Sequence, residues 1–534
     1  TWEACSNGKS GIDRITHFNP EALRCQIAGE VKDFQLPDII PQKEAKKMSA
    51  IFERKHKDAL DGLYKFSQEK RTSYEDLRKR NILTISPDIY KHKLFNIQQN
   101  GGNIDNLPSI LRTDNEYIQG EEKLSGMAQY QADLDQDGKT IIETSSSVLS
   151  SSGRKVINYD IIPTPTAQFL VLKNNLAGGI VVTASHNPKE WNGLKFIDSD
   201  GCFLSQRKNE QIFQLVDKNH QIPKNKPRKI ESINSGFSDH IQHTLNLSSI
   251  DKNSIIKKKY NVVVDAVNGA ASIALPQLLI ALGCNVHCIN CEPNGVFSRP
   301  MEPLPENLSD LKKAVIKYKA DVGFATDPDG DRLAVVDEQG NPLGEEYTLV
   351  ICADGFLKNT ASKKPIVTNL STTLAIDKLA EKYGNSVIRS SVGEINVVNK
   401  MKEHNALLGG EGNGGIILKE SHLGRDSLVG TALFLSRMSQ SSKSVSQIFQ
   451  LMPQFYMEKN QIILEEQKIT PLIEKIKNNF SHVKHNTEDG LKLIWDNKWI
   501  HIRRSNTEPI IRIYSEAISR GEAIKLVKSI TSLA

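Results

Sequence analysis

Ala320-Asp321-Val322-Gly323-Phe324-Ala325-Thr326-Asp327-Pro328-Asp329-Gly330-Asp331-Arg332-Leu333-Ala334-Val335-Val336 runs from one apolar segment through a turn with three aspartates to a second apolar segment. The first has the character of a strand buried in a parallel sheet, and Leu333 to Val336 reads as the strand leaving the turn. Asp327, Asp329 and Asp331 stand at alternate positions of a tight loop, so their carboxylates can converge on one cation. An EF-hand calcium loop starts the same way and finds Glu338 at its twelfth place. It needs glycine sixth and a helix after it, whereas Arg332 is sixth here and a strand follows. A hard cation held by few protein oxygens and one phosphate suits Mg²⁺.

Outward from this stretch the same rhythm recurs. Gly178-Gly179-Ile180-Val181-Val182, Asn261-Val262-Val263-Val264-Asp265 and Ala406-Leu407-Leu408-Gly409 are further short apolar runs, and Ala271 to Leu282 and Leu428 to Met438 carry apolar residues at helical spacing. Alternation of this kind predicts α/β architecture in αβα layers, with ligands beyond the carboxyl ends of the strands. Breaks are expected near Gln221 to Lys229, Gly340 to Gly344 and Met452 to Met457. From about residue 457 the pattern changes to alternating strands at Gln461 to Leu464, Leu491 to Trp495, Trp499 to Arg503 and Ile510 to Tyr514. A helix from about Arg520 closes this small α+β unit. The first 145 residues lack the rhythm: Ser67 to Arg80 reads as helix, while Asn100 to Asn103 and Ser145 to Gly153 read as loops. No fold is assigned to 57–145.

Composition narrows the function classes. The chain has 534 residues, 38% of them hydrophobic, enough for several cores. No apolar run approaches the roughly 20 residues that span a bilayer, and no signal-peptide pattern is present, which predicts a soluble, cytoplasmic protein with no membrane partner. The net charge of +5 is small, and the basic stretches Lys224 to Lys229 and Lys257 to Lys259 have no interleaved aromatics, which argues against nucleic acid. Cys284, Cys288 and Cys291 imitate metal spacing but lie on a strand-like segment leaving Gly283, and the seven cysteines make no disulfide framework in a chain of this size. Asp133-Leu134-Asp135-Gln136-Asp137-Gly138 begins like a calcium loop, yet its twelfth place is Thr144.

Three other loops also follow apolar runs. In Thr183-Ala184-Ser185-His186-Asn187-Pro188, Ser185 sits at a strand tip, where it is either a turn residue or a nucleophile. His186 and Lys195 could stabilise a phosphate on its hydroxyl, and Lys195 could serve as a base if its pKa were lowered. In Gly410-Glu411-Gly412-Asn413-Gly414-Gly415, Glu411 and Asn413 suit either sugar hydroxyls or turn stabilisation. In Arg503-Arg504-Ser505-Asn506-Thr507-Glu508-Pro509, Arg503 with Ser505, Asn506 and Thr507 offers a donor set for a phosphate dianion, and Arg512 could reinforce it. A charged hairpin is the competing explanation.

Together and in this order, the four loops resemble the signature motifs of the α-D-phosphohexomutases, over about 146–534. The resemblance implies successive αβα mixed-sheet domains, the first incomplete, and a C-terminal α+β domain around a central cleft. The expected boundaries are 146–250, 251–344, 345–456 and 457–534. It implies Ser185 as the phosphoserine, with His186, Lys195 and Arg332 in catalysis. Mg²⁺ would lie on Asp327, Asp329, Asp331 and the seryl phosphate of Ser185. Glu411 and Asn413 would bind sugar hydroxyls, and Arg503, Ser505, Asn506, Thr507 and Arg512 the phosphate that stays on the substrate. The implied reaction shifts phosphate between the 6- and 1-positions of a hexose or hexosamine phosphate through a bisphosphate. Glu411 to Gly415 with Gly424-Arg425-Asp426 is most similar to the phosphoglucosamine and phosphomannomutase branch. The family's SGxRG turn and GRDxR segment are not visible before residue 146. Residues 1–49, within a segment taken as 1–56, are instead similar to the start of a β-ketoacyl-acyl carrier protein synthase, without its catalytic cysteine and histidines. A fused or truncated product that binds sugar phosphate without turnover is the alternative expectation.

Overall fold

The computed structural model describes residues 12–14, 27–29, 83–85, 136–185, 192–217, 225–464, 466–504 and 510–533. Val322–Thr326 pairs in parallel with Asn261–Asp265, which pairs in parallel with Asn285–Ile289, and Leu333–Asp337 returns antiparallel along the other edge. The next sheet repeats this order. Ile366–Asn369 lies parallel to both Val387–Ser390 and Leu408–Glu411, and Gly415–Leu418 turns back antiparallel along Leu408–Glu411. Continuous apolar runs become the strands buried on both faces, and the helices between them cover those faces. The two sheets share one core, in which Phe324 meets Phe434 edge-on with ring centroids 5.7 Å apart.

Upstream, Gly178–Val182 and Asn192–Asp198 form an antiparallel pair extended by Leu83–Ile85, and a parallel pair joins Val156–Asn158 to Ile230–Ser232. Downstream, a five-stranded antiparallel sheet runs from Tyr456–Ile463 through Ile510–Ala517, Lys498–Arg504 and Leu491–Trp495 to Lys484–Asn486. The helices Glu466–Asn479 and Arg520–Thr531 pack on it, giving the expected α+β unit. All four signature loops therefore occupy the same kind of place, the turn between two antiparallel neighbours: 182 to 192, 326 to 333, 411 to 415 and 504 to 510.

One expectation fails outright. Ser145 to Gly153 is not a loop but, up to Ser151, the second half of the helix Gln136–Ser151. Ile141, Ile142, Ser145, Ser146, Leu149 and Ser150 are buried at helical spacing, against Ile180, Val182 and Leu194. The serines sit on the buried face, where small side chains allow close approach, so the apolar signal there is thin. The same helix covers residues 136–144, which removes the calcium-loop geometry from that stretch. Ser67 to Arg80 and Asn100 to Asn103 lie outside the described residues, as does most of 1–56. No helix among the described residues is long and apolar enough to cross a membrane.

Candidate active site

Local geometry sets the aspartates inward. Gly330, at φ +70°, closes the turn between the two strands, and its carbonyl accepts from the Ser427 hydroxyl at 2.6 Å. The Asp327 carboxylate folds back to accept from the backbone N–H groups of Asp331 and Arg332, each at 3.1 Å. Asp327, Asp329 and Asp331 are all at most 1% exposed, and an oxygen from each lies within 4.8 Å of the others.

Ser185, 8% exposed and at φ +52°, has a left-handed backbone uncommon outside glycine, and its N–H donates to the Thr183 hydroxyl at 2.9 Å. This turn aims its hydroxyl at Asp329, with Oγ donating to Oδ1 at 3.1 Å. The other Asp329 oxygen accepts from Lys195 Nζ at 2.6 Å and the Thr164 hydroxyl at 2.9 Å. Nucleophile candidate, cation and metal-loop carboxylate are thus joined across two separate sheets.

Three cations face six carboxylates here. Arg332 donates to Glu302 at 2.9 Å and lies 3.8 Å from Asp327. Arg425 spreads its guanidinium over Asp331 at 2.5 Å, Glu411 at 2.9 Å and Glu394 at 3.0 Å. Burial, then the Asp331 and Asp329 charges, push the Asp327 carboxyl well above its ordinary range. Burial pushes Glu394 up to about 7 against the pull of Arg425. For Asp329, burial is outweighed by the Lys195 ammonium, and its pKa is lowered. Lys195 responds in kind: burial alone would lower its pKa, but Asp329 and Asp331 raise it. It is held as an ammonium, so the base role foreseen for it does not fit this environment.

The carboxylate excess is what a divalent cation would relieve. Asp327 Oδ2 and Asp331 Oδ1 are buried and accept no hydrogen bond among the described residues. All-oxygen donors from alternate loop positions, two of them unsatisfied, fit a hard ion such as Mg²⁺.

The 410–415 loop adjoins this cluster through Arg425. Glu411 accepts from Asn369 at 2.8 Å and from the Gly393 N–H at 3.1 Å, as well as from Arg425. The Asn413 carbonyl oxygen accepts from the Gly415 N–H at 3.1 Å. Beyond Gly393, the Val392 N–H donates to Asp489 at 2.9 Å, and Asp489 lies 3.9 Å from Arg503. A continuous chain of contacts therefore runs from Ser185 to the C-terminal sheet.

Arg503 and Arg512 are cross-strand partners beside the fourth loop. Arg503 is 8% exposed, and its Nε and Nη1 have no hydrogen-bond partner among the described residues. Like charges directly opposite each other on a sheet are unfavourable unless an anion joins them. His186, Ser505, Asn506 and Thr507 lie outside the described residues.

Sequence reasoning missed Thr164, Glu302 and Glu394, and used Arg425 only as a branch signature. Asp426 caps the helix Ser427–Ser439, accepting from Leu428 and Val429, and that cap was a readable signal for a fixed turn at Arg425. Nothing around Glu302 announced it.

Models of four phosphoglucomutase/phosphomannomutase segments match the chain in order. The first three alpha/beta/alpha domains match 132–223, 235–340 and 344–455, and the C-terminal domain matches 458–532. A phosphoglucomutase/phosphomannomutase from Thermococcus kodakarensis is 35% identical over 398 residues, 72% of this chain and 85% of that protein. A phosphoglucosamine/phosphogalactosamine mutase from Sulfurisphaera tokodaii is 30% identical over 416 residues, 75% of this chain and 90% of the relative. The crystal structure of a phosphoglucomutase/phosphomannomutase family protein from Burkholderia thailandensis superposes with a TM-score of 0.70 at 21% identity, covering 86% of this chain and 96% of that one. With four segment models in register and relatives aligned over most of its length, this chain belongs to the phosphoglucomutase/phosphomannomutase family of α-D-phosphohexomutases.

Proposed function

We propose that the chain interconverts the 6- and 1-phosphates of a hexosamine or hexose, glucosamine phosphate foremost, with Ser185 carrying the transferred phosphoryl group. The observation that carries this reading is the Ser185–Asp329–Lys195 contact: a hydroxyl and an ammonium each hydrogen-bonded to the same carboxylate, beside two further buried aspartates. In the first transfer the seryl O–P bond breaks as an O–P bond forms to the free sugar hydroxyl, and the proton that hydroxyl gives up is balanced by the one the released Ser185 oxygen takes up. The 1,6-bisphosphate then turns around, and the other phosphate returns to Ser185. Mg²⁺, held by Asp327, Asp329, Asp331 and the seryl phosphate, would neutralise charge on the transferring group. Lys195, kept charged by its neighbours, would add to that neutralisation, and Arg332 would hold the loop through Glu302. Arg503 and Arg512, with Ser505, Asn506 and Thr507, would grip the phosphate that is not moving, and Glu411 and Asn413 the sugar hydroxyls. Segment boundaries at 250, 344 and 456 belong to the same proposal. The relatives named for glucosamine phosphate favour the hexosamine.

The test is phosphate occupancy on Ser185 by mass spectrometry, combined with turnover of glucosamine, glucose and mannose 6-phosphates, each primed with a trace of bisphosphate. Ser185→Ala is expected to lose at least ~10³-fold in turnover while keeping its fold. Unchanged turnover in that variant removes Ser185 from the reaction. Equal rates on all three sugars remove the hexosamine preference.

A further inference from the structure

Outside the aspartate loop, His240, His422 and Asp426 bring three ligand-type atoms within 4.8 Å of one another. All three residues are at most 2% exposed, at the junction of the helix Gly236–Leu245 with the turn that precedes the helix Ser427–Ser439. Asp426 Oδ2 lies 3.0 Å from His240 Nε2 and 3.0 Å from His422 Nε2. Its other oxygen is fixed by the N–H groups of Leu428 at 2.8 Å and Val429 at 3.1 Å, so Oδ2 is held toward the imidazoles. Thr166 Oγ1 sits 3.0 Å from His240 Nδ1, and in the tautomer that carries its proton on Nδ1 the Nε2 lone pair faces the carboxylate. Buried polar atoms remain unsatisfied: His240 Nε2 and His422 Nδ1 have no hydrogen-bond partner among the described residues. His243, one turn along the same helix, adds a third imidazole nearby, and Phe169 packs against both the His240 and His243 rings.

We propose that His240 Nε2, His422 Nε2 and Asp426 Oδ2 form a second, structural metal site for a borderline transition ion of the Zn²⁺ class. Two imidazoles and one carboxylate are a donor set such ions take, and Mg²⁺ does not favour nitrogen. Ligand atoms in a tetrahedral zinc site stand roughly 3.3 Å apart when each bond is about 2.0 Å, so the two Nε2–Oδ2 spacings of 3.0 Å need a few tenths of an ångström of expansion. The ion would pin the Gly424-Arg425-Asp426 turn to the helix Gly236–Leu245. The proposal does not depend on the mutase reading.

The full chain, stripped by chelator and resupplied with saturating Mg²⁺, is titrated with Co²⁺ alone. One tight equivalent with tetrahedral visible absorption is expected. It should weaken at least tenfold in His422→Gln and persist in Asp329→Asn, whose change lies at the aspartate cluster and away from these three ligands. Because His422→Gln could fail to fold, zinc X-ray absorption on the unaltered chain serves as the second measurement, with at least two imidazole scatterers expected. An all-oxygen shell, no tight Co²⁺ binding, or binding lost in Asp329→Asn but kept in His422→Gln overturns the site, leaving Asp426 as the shared acceptor of two imidazole N–H groups.

Discussion

The segments 326–333 and 504–510 each join two antiparallel strands, yet the described residues at the two places are charged in opposite ways. The first gathers Asp327, Asp329 and Asp331 and surrounds them with Lys195, Arg332 and Arg425, so most of the charge is answered within the fold. The second sets Arg503 opposite Arg512, with Asp489 at 3.9 Å from Arg503. The difference teaches where stability and where binding reside. Charges that are paired inside the fold hold segments together, whereas Arg503, with Nε and Nη1 lacking a hydrogen-bond partner among the described residues, can take a ligand's anion.

The largest expected effect tests the paired end. Arg425→Ala leaves Asp331, Glu394 and Glu411 buried without their shared guanidinium. Loss of one partner from a buried ion network costs about 3–5 kcal/mol, so the first urea transition should move to markedly lower denaturant. A loss under about 1 kcal/mol would mean that the paired end is held by packing alone. At the other end, Arg503→Gln is expected to leave the unfolding midpoint unchanged or slightly higher, because a like-charge pair is relieved. The KM for the sugar phosphate should rise about 10–100-fold, the equivalent of one charge-assisted hydrogen bond of roughly 1.5–3 kcal/mol. Should Arg503→Gln unfold as readily as Arg425→Ala, the contrast between the two turns disappears.

Much of this was legible because strand and loop chemistry are local. Asp327 to Arg332 announced itself through spacing, and the strands Gly178–Val182, Asn261–Asp265 and Leu491–Trp495 have the bounds their apolar runs suggested. The helix Gln136–Ser151 was not legible, because serines occupy much of its buried face and hide the amphipathic period. Nor was the Arg425 hub, since Asp331, Glu394 and Glu411 are separated from it by up to 94 residues and no local pattern records such convergence. The charge state of Lys195 was out of reach for the same reason: it depends on Asp329 and Asp331, contributed by another sheet.

A third charged group lies between the two extremes and gives the smallest, most diagnostic effect. Glu346, near the start of the helix Glu345–Asn359, accepts from the Thr373 N–H at 2.9 Å and lies against the backbone of Gly412, where an added Cβ would come within 2.1 Å of its Oε2. Lys459, Glu345 and Glu516 are the charges around it. Burial pushes its carboxyl up to about 8, with Lys459 opposing and the two glutamates assisting. In the unfolded chain a glutamate titrates near ~4.3, so between about 4.5 and 8 the folded state holds the proton that the unfolded state has released. That contribution is fully present below the lower value and is lost as pH rises through the upper one. Glu346→Gln removes the titration, so its thermal midpoint should match the parent chain near pH 4.5 and fall less steeply toward pH 8. Parallel midpoint curves across that window would show that Glu346 is compensated in the folded chain as fully as Asp329 is by Lys195.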